Sequence, residues 1–399
     1  MPFRCVFFVS FSLLAAACPA GEPVRLKFKY LGVNRLPQSS GGSAKQETFA
    51  WSSGPLAFDP ATDELLVMGH TQAQLAARIK PAPLSEKQRE SKDVTRFPLA
   101  ELVGEFHDPS HGLREKLQEE YGGQQFRITG LAFHQETLWL GFWRFYNVQN
   151  ASLPGLAAIR DGKPTGVWFI GEDHSLKTSR YIAVDSSGRP YSGCAEGKAS
   201  GNWGPALYQL HSFDLSLPHN GRQPAIRLMT WDFKGDYFRW SPPDQSVKPD
   251  VFHYGESKEQ NIRPKPIPFN PRWTIASCAV LDDEAGQKQV VFAVSRPIGM
   301  QWYGDGIVTD GTTVLASPTS PHSRGYYKEG QVTSLIVFPK LIASKGRDRS
   351  YYEEPLHHLW VRDVAETTLT VDHKRRVLYL LESMGDWQSM APILHVMSY

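Results

Sequence analysis

Short apolar runs joined by polar turns recur along this chain. Gly54-Pro55-Leu56-Ala57-Phe58-Asp59 leads through a turn into Leu65-Leu66-Val67-Met68-Gly69. The same phrase returns at Gly130–His134 with Leu138–Gly141, and at Ile182–Asp185 with a turn at Ser187-Gly188 before Tyr191. Two further copies are Ala279–Asp282 with Val290–Ala293, and Leu369–Asp372 with Val377–Leu380. Each is a small or apolar start, an apolar triplet, an Asp or His, a turn and a second apolar run, which predicts a β-hairpin. The first run is apolar at nearly every position rather than at alternate ones. Burial on both faces is therefore expected.

The anchor positions 59, 134, 185, 282 and 372 are separated by 75, 51, 97 and 90 residues. At about 50 residues per unit the two longest intervals each leave room for one more copy. That predicts an all-β fold, a single β-propeller of roughly six to seven blades. Gln331 to Phe338 is a candidate start for one degenerate blade, and Leu207–Phe213 with Ile226–Phe233 for another. Both ends fit. Val24 to Tyr30 alternates at period two and Pro392 to Met397 reads as a strand, as expected if the ring closes by pairing its termini and so removes an open edge. A two-sheet sandwich explains the alternation but not five copies of one hairpin.

One stretch breaks the pattern. From about 71 to 123 the chain is rich in Lys, Arg, Glu and Gln, with Leu75, Ala76 and Ile79, then Leu113 and Leu117, at helical spacing. A partly helical insertion is expected there. A second polar tract, Ser241 to Pro271, carries seven prolines and predicts an extended loop rather than central strands.

The first 20 residues hold one cation, Arg4, an apolar run from Cys5 to Ala17 and small residues to Ala20. They read as a signal peptide, leaving 21–399 as the propeller domain. A secreted or periplasmic location is expected. Cys18 after three alanines leaves a surface lipoprotein as the alternative, and no stretch is long enough to span a bilayer. After cleavage only Cys194 and Cys278 remain, with no CxxC or CxxH spacing. They read equally as a bridge or as two buried thiols.

Charge narrows the partners. Lys plus Arg number 43 against 41 Asp plus Glu, so no overall field collects nucleic acid, and any charge selectivity must be local. In a propeller the residues before each inner strand and after each second strand crowd one mouth of the channel. Those before are Trp51, Arg127, Arg180, Tyr181, Arg272 and Trp273; those after are His70, Trp143, Arg144, Arg296 and Glu382. Five arginines from different units around one opening suit carboxylate, phosphate or sulfate, and Trp273 offers a stacking face for a sugar ring. The expected partner is an anionic polysaccharide, bound by a monomer without cofactor or metal.

If the site is catalytic, uronate chemistry suggests β-elimination, with His70 or Tyr181 as base and Arg180 or Arg127 neutralising the carboxylate. Asp59 and Asp185 sit at turns on the opposite end of the strands and read as turn formers, not as a glycosidase pair. His107-Asp108-Pro109-Ser110-His111 has two His four apart, but Pro109 argues against a helix that would align them. No P-loop, GxSxG or dinucleotide fingerprint occurs in context.

The phrase Ser53 to His70, together with Gly201-Asn202-Trp203-Gly204-Pro205-Ala206-Leu207, resembles a group of secreted bacterial propeller-like proteins of unassigned function. That resemblance implies the fold and no activity. A looser likeness to propeller-type polysaccharide lyases, such as ulvan lyases, implies chemistry by His, Tyr and Arg without residue-by-residue correspondence. Two functions stay open from the residues: an anionic-glycan propeller that binds and cleaves, or a non-catalytic propeller for surface attachment or protein interaction.

Overall fold

The computed structural model describes residues 23–37, 47–50, 52, 54–84, 94–122, 126–144, 153–171, 180–194, 206–234, 237–241, 251–253, 274–297, 307–309, 312–315, 331–348, 350–356, 367–384 and 391–399. The predicted signal peptide at 1–20 lies outside them. The chain enters through β1 (Lys29–Arg35) and then builds blade 1 from β2 (Leu56–Asp59), β3 (Glu64–Met68), β4 (Ala76–Lys80) and β5 (Glu101–His107). Blade 2 is β6 (Phe126–His134), β7 (Thr137–Arg144), β8 (Leu156–Arg160) and β9 (Lys163–Ile170). Blade 3 begins with β10 (Tyr181–Val184), β11 (Pro190–Cys194) and β12 (Ala206–Leu210). Its chain then sends β13 (Gly221–Gln223) across to pair in parallel with β9, and returns as β14 (Ala225–Lys234), β15 (Tyr237–Ser241) and β16 (Val251–His253).

Blade 4 is β17 (Thr274–Asp282), β18 (Lys288–Pro297), β21 (Gln331–Phe338) and β22 (Tyr352–Pro355), with a separate hairpin of β19 (Ile307–Thr309) and β20 (Thr312–Leu315) inserted between its second and third strands. Blade 5 joins β23 (Thr367–Asp372), β24 (Val377–Met384) and β25 (Ala391–Ser398) to β1. Both ends of the chain therefore share one sheet, with Tyr30 opposite Met397 and Arg35 opposite Ile393. The inner strands β2, β6, β10, β17 and β23 each lie against the next, and β23 lies against β2, which closes the ring.

The propeller has five blades, not six to seven. The five hairpin phrases are its five inner hairpins. Gln331–Phe338 is the third strand of blade 4, and the stretches around 207 and 226 are the third and fourth strands of blade 3. The long spacings hold long connections, not hidden units. The expected helix around Leu75, Ala76 and Ile79 is also overturned: these residues lead into and form β4, where Ala76 pairs with Met68 and Ile79 with Leu65. Burial on the sheet outweighs a chance i, i+3 match. Helix α1 (Leu113–Glu120) does form, with Leu113 and Leu117 packed under Phe126 and Ile128.

Each interface between blades carries its own apolar cluster, and consecutive residues of one strand serve two of them. Tyr379 and Leu381 of β24 pack toward blade 1, while Leu378 and Leu380 pack toward blade 4. On β18, Val290, Phe292 and Val294 face blade 3, whereas Val291 and Ala293 face blade 5. This two-sided burial is why the runs are apolar throughout instead of alternating. Burying a Leu or Phe side chain contributes about 1.5–3 kcal/mol, so these seams supply most of the cohesion.

The same alternation separates the two thiols. Cys278 lies in the seam between blades 3 and 4 beside Tyr181 and Phe292. Cys194 pairs across the ladder with Ala206, which packs toward blade 2. Both are buried and neither is in a disulfide.

Candidate functional site

The two ends of the ring are built differently. At one end the inner strand turns into the second strand through two to five residues in every blade. The aspartates anticipated as turn formers do this work. Asp59 accepts from Ala61 N at 3.0 Å and Asp372 from Arg375 N at 3.1 Å. Asp185 Oδ1 accepts from Ser187 N, Ser187 Oγ and Arg189 N, and its Oδ2 accepts from the Tyr191 hydroxyl at 3.1 Å. In blade 4 the turn is held by Asp283 rather than Asp282: Asp283 accepts from Ala285 N and Gln287 N, while Asp282 pairs with Lys288 at 3.4 Å.

These turns are stitched to one another around the ring. Lys288 of blade 4 reaches Asp185 of blade 3 at 3.1 Å, and Arg376 of blade 5 donates to the Asp282 carbonyl at 2.9 Å. Arg375 of blade 5 pairs with Asp63 of blade 1, and the Arg78 guanidinium of blade 1 lies 5.3 Å over the Phe133 ring of blade 2. His373 Nε2 lies 2.7 Å from the Val184 carbonyl of blade 3. Burial alone would raise the Asp185 carboxyl, but the Ser187 and Arg189 hydrogen bonds and Lys288 outweigh it and hold the group below its usual range.

The opposite end, the mouth, carries connections of six to 33 residues between second and third strands. The register brings several of the anticipated residues to this level. Phe126 pairs with Arg144 and Arg127 with Trp143 across the β6–β7 ladder, and the Arg180 amide donates to the Gly193 carbonyl at 2.8 Å just before β10. Arg296 is the penultimate residue of β18, beyond the Thr274–Ser295 pair. The side chains of Arg144 and Arg296 are outside the described residues, as are Arg272, Trp273 and Trp51 altogether.

Arg127 and Arg180 share one seam. Phe126 and Ile128 pack toward blade 1, so Arg127 between them points toward blade 3. Along β10, Tyr181 and Ala183 pack toward blade 4 and Ile182 toward blade 2, so the alternation turns Arg180 toward blade 2. The two strands run close there: a Cβ on Gly130 would meet Ile182 N at 3.1 Å and Tyr181 Cα at 3.2 Å. Arg127 is half-buried and Arg180 is only 5% exposed. Desolvating a guanidinium costs several kcal/mol, so a buried cation at the mouth is sustained against a penalty.

The two anticipated bases stand differently. Tyr181 is buried in the seam between blades 3 and 4, with its hydroxyl donating to the Ala206 carbonyl at 2.6 Å. Burial, with smaller contributions from Cys278 and Cys194, pushes the phenol well above its usual range, against a weaker pull from Arg180. Its ring occupies the space over Gly193, where a Cβ would come 2.6 Å from Tyr181 Cε2. Tyr181 thus packs as a core residue whose hydroxyl is engaged by the backbone.

His70 is half-buried in the connection after β3, and its backbone amide donates to the Thr48 carbonyl. Its Nδ1 accepts from Gln72 N at 3.2 Å, which leaves the proton of the neutral ring on Nε2. Burial lowers its pKa, so the neutral ring prevails at neutral pH and presents an N–H donor. That geometry suits hydrogen bonding to an anion better than proton abstraction.

Several polar residues of this end were not legible as functional or structural from the sequence. Gln74, in the left-handed region at φ 56°, accepts from Ile128 N at 2.7 Å and joins blade 1 to blade 2. Ser277 accepts from Leu369 N at 2.9 Å, and Thr368 donates to the Gly54 carbonyl at 3.1 Å. Glu382, expected on the rim, is completely buried beside His395. Asp108 is occupied by Ser110 and by Gly112 N, and no group of three or more metal-ligating side chains occurs among the described residues. No helix among them is long and apolar enough to cross a membrane.

No family model matches the chain, and no curated protein matches it in sequence. Among solved structures, a protein of unknown function from Dyadobacter fermentans aligns over 93% of this chain and 99% of its own, at 8% identity and a TM-score of 0.34. The endosialidase of phage phi92 aligns over 92% of this chain and 69% of its own, at 6% identity and a TM-score of 0.34. At that similarity neither assigns an activity to this chain.

Proposed function

We propose that this propeller binds a carboxylated polysaccharide at the mouth of the ring, using the seam between blades 2 and 3. The supporting observation is the common level and common seam of Arg127 and Arg180, with Arg144 one ladder position away. Guanidinium groups engage carboxylates through paired N–H donors, and Trp143 on the same face as Arg127 offers a ring surface beside them. His70 adds a neutral N–H donor from blade 1. Chain turnover by elimination has weaker support, because Tyr181 is locked into the core and the His70 Nδ1 is already an acceptor.

The test is retention of the purified protein on polygalacturonate, alginate and neutral dextran, with ultraviolet absorbance followed for unsaturated product. Salt-sensitive retention on the two uronates, none on dextran and no absorbance rise are expected. Equal retention on dextran, or none on any polymer, overturns the binding proposal. Product formation would restore a catalytic role at the same mouth.

A further inference from the structure

Blade 5 has to close the ring with strands from both ends of the chain, and a polar relay runs through that closure. Glu382 on β24 and His395 on β25 are both completely buried, with Glu382 Oε2 3.0 Å from His395 Nε2. His395 Nδ1 lies 3.3 Å from the hydroxyl of Tyr30, near the start of β1. Acid, imidazole and phenol thus link the three strands in order, across sequence separations of 13 and 365 positions.

The second carboxyl oxygen, Glu382 Oε1, is buried with no hydrogen-bond partner among the described residues. A bare carboxylate in that place would lack the two or more donors that normally hold a buried anion. Across the ladder Glu382 faces Thr367 on β23 and Ile393 on β25, neither of which carries charge. From blade 4, Ser277 of β17 donates to the Thr367 carbonyl, on the residue opposite Glu382. Among the described residues, the titratable groups facing the carboxyl are therefore His395 and, beyond it, Tyr30.

We propose that Glu382, His395 and Tyr30 form a one-proton clasp that holds the N-terminal strand in blade 5 and loosens when that proton is lost. With the proton present, acid and imidazole are neutral as a pair and the relay reaches Tyr30. With it gone, a desolvated carboxylate faces a neutral ring, and opening of β1 to admit water relieves it. Burial pushes the Glu382 carboxyl well above its usual range, in line with this order of events. For an acid whose pKa is raised on folding, the stabilisation is fully present below the unfolded value and is lost as pH rises through the folded one.

Hydrogen–deuterium exchange of the full chain from about pH 6 to about pH 9 tests this, with the β2–β3 hairpin as internal reference for intrinsic rates. Above the carboxyl's pKa, the opening of β1 relative to that hairpin should grow by up to about tenfold per pH unit. Glu382→Gln keeps the shape but has no proton to lose, and its profile should be flat. Should that variant fail to fold, Tyr30→Phe leaves the acid–imidazole pair intact, and β1 should then lose its pH response while β25 keeps it. Coincident profiles for wild type and Glu382→Gln, or a β1 that still follows pH in Tyr30→Phe, overturn the clasp.

Discussion

The turn end and the mouth of this propeller are made from the same strands and do opposite things with charge. At the turn end, short connections place Asp59, Asp63, Asp185, Asp282 and Asp372 among Arg78, Lys288 and Arg375, and the Lys288–Asp185 and Arg375–Asp63 pairs run from blade to blade. Carboxylates there serve the backbone first and the cations second. At the mouth, Arg127 and Arg180 enter a seam from facing blades, and the connections around them are long. One end uses its polar groups to hold turns; the other carries two arginines of one seam and the longest connection of the ring. Short turns and long loops on opposite ends of a rigid ring are a common way to combine stability with recognition.

Substitutions can separate these two ends, and the largest effect should come from the turn end. Asp185→Ala removes four hydrogen bonds and the Lys288 pair, and should lower unfolding free energy by about 3 kcal/mol in urea titrations while leaving glycan retention unchanged. Because the Asp185 pKa is depressed on folding, its stabilisation is present above the unfolded value of about 3.9 and is lost as pH falls through the folded one. Asp185→Asn should therefore flatten the acid limb of the stability profile.

At the mouth, Arg127→Ala should weaken uronate retention about tenfold to a hundredfold, the worth of a charged hydrogen bond, with the urea midpoint nearly unmoved. Tyr181→Phe sits at the mouth yet should behave as a core change. A loss of about 1 kcal/mol with unaltered retention is expected, and reduced retention at full stability would give Tyr181 a direct role in the site. Asp63→Asn is the smallest: its pair with Arg375 is half exposed on both sides and Arg375 keeps its pair with Asp372, so less than about 1 kcal/mol should be lost.

The inner hairpins were legible because their information is local. An apolar triplet, an Asx-type acceptor and a left-handed turn residue such as Gly188 sit within about ten residues of one another. Outer strands were harder to read. β4 and β5 pass through a Lys- and Glu-rich stretch whose apolar spacing matched a helix by accident. Blade number was misjudged for a related reason: a 33-residue connection in blade 4 and the excursion through β13 to β16 in blade 3 lengthen the repeat without adding a unit.

For the site, the level of Arg127, Arg144, Arg180 and Arg296 followed from strand order, which is countable along the chain. The seam shared by Arg127 and Arg180 was not, since a bulge between Ile128 and Gly130 changes which side later residues of β6 face. Nor was the fate of Tyr181, whose hydroxyl finds a backbone carbonyl 25 positions away.

By itself, the sequence determined an all-β ring of repeated hairpins, the turn-forming aspartates and the closure by both termini. These depend on spacing and on residue type, which act within a few positions. Only the tertiary structure decided that five blades complete the circle, that Cys194 and Cys278 lie on different blades and turn into different seams, and that Glu382 meets His395 and Tyr30 inside the closure. Those outcomes depend on which distant strands become neighbours. That choice is made by packing every seam at once, and no single segment encodes it.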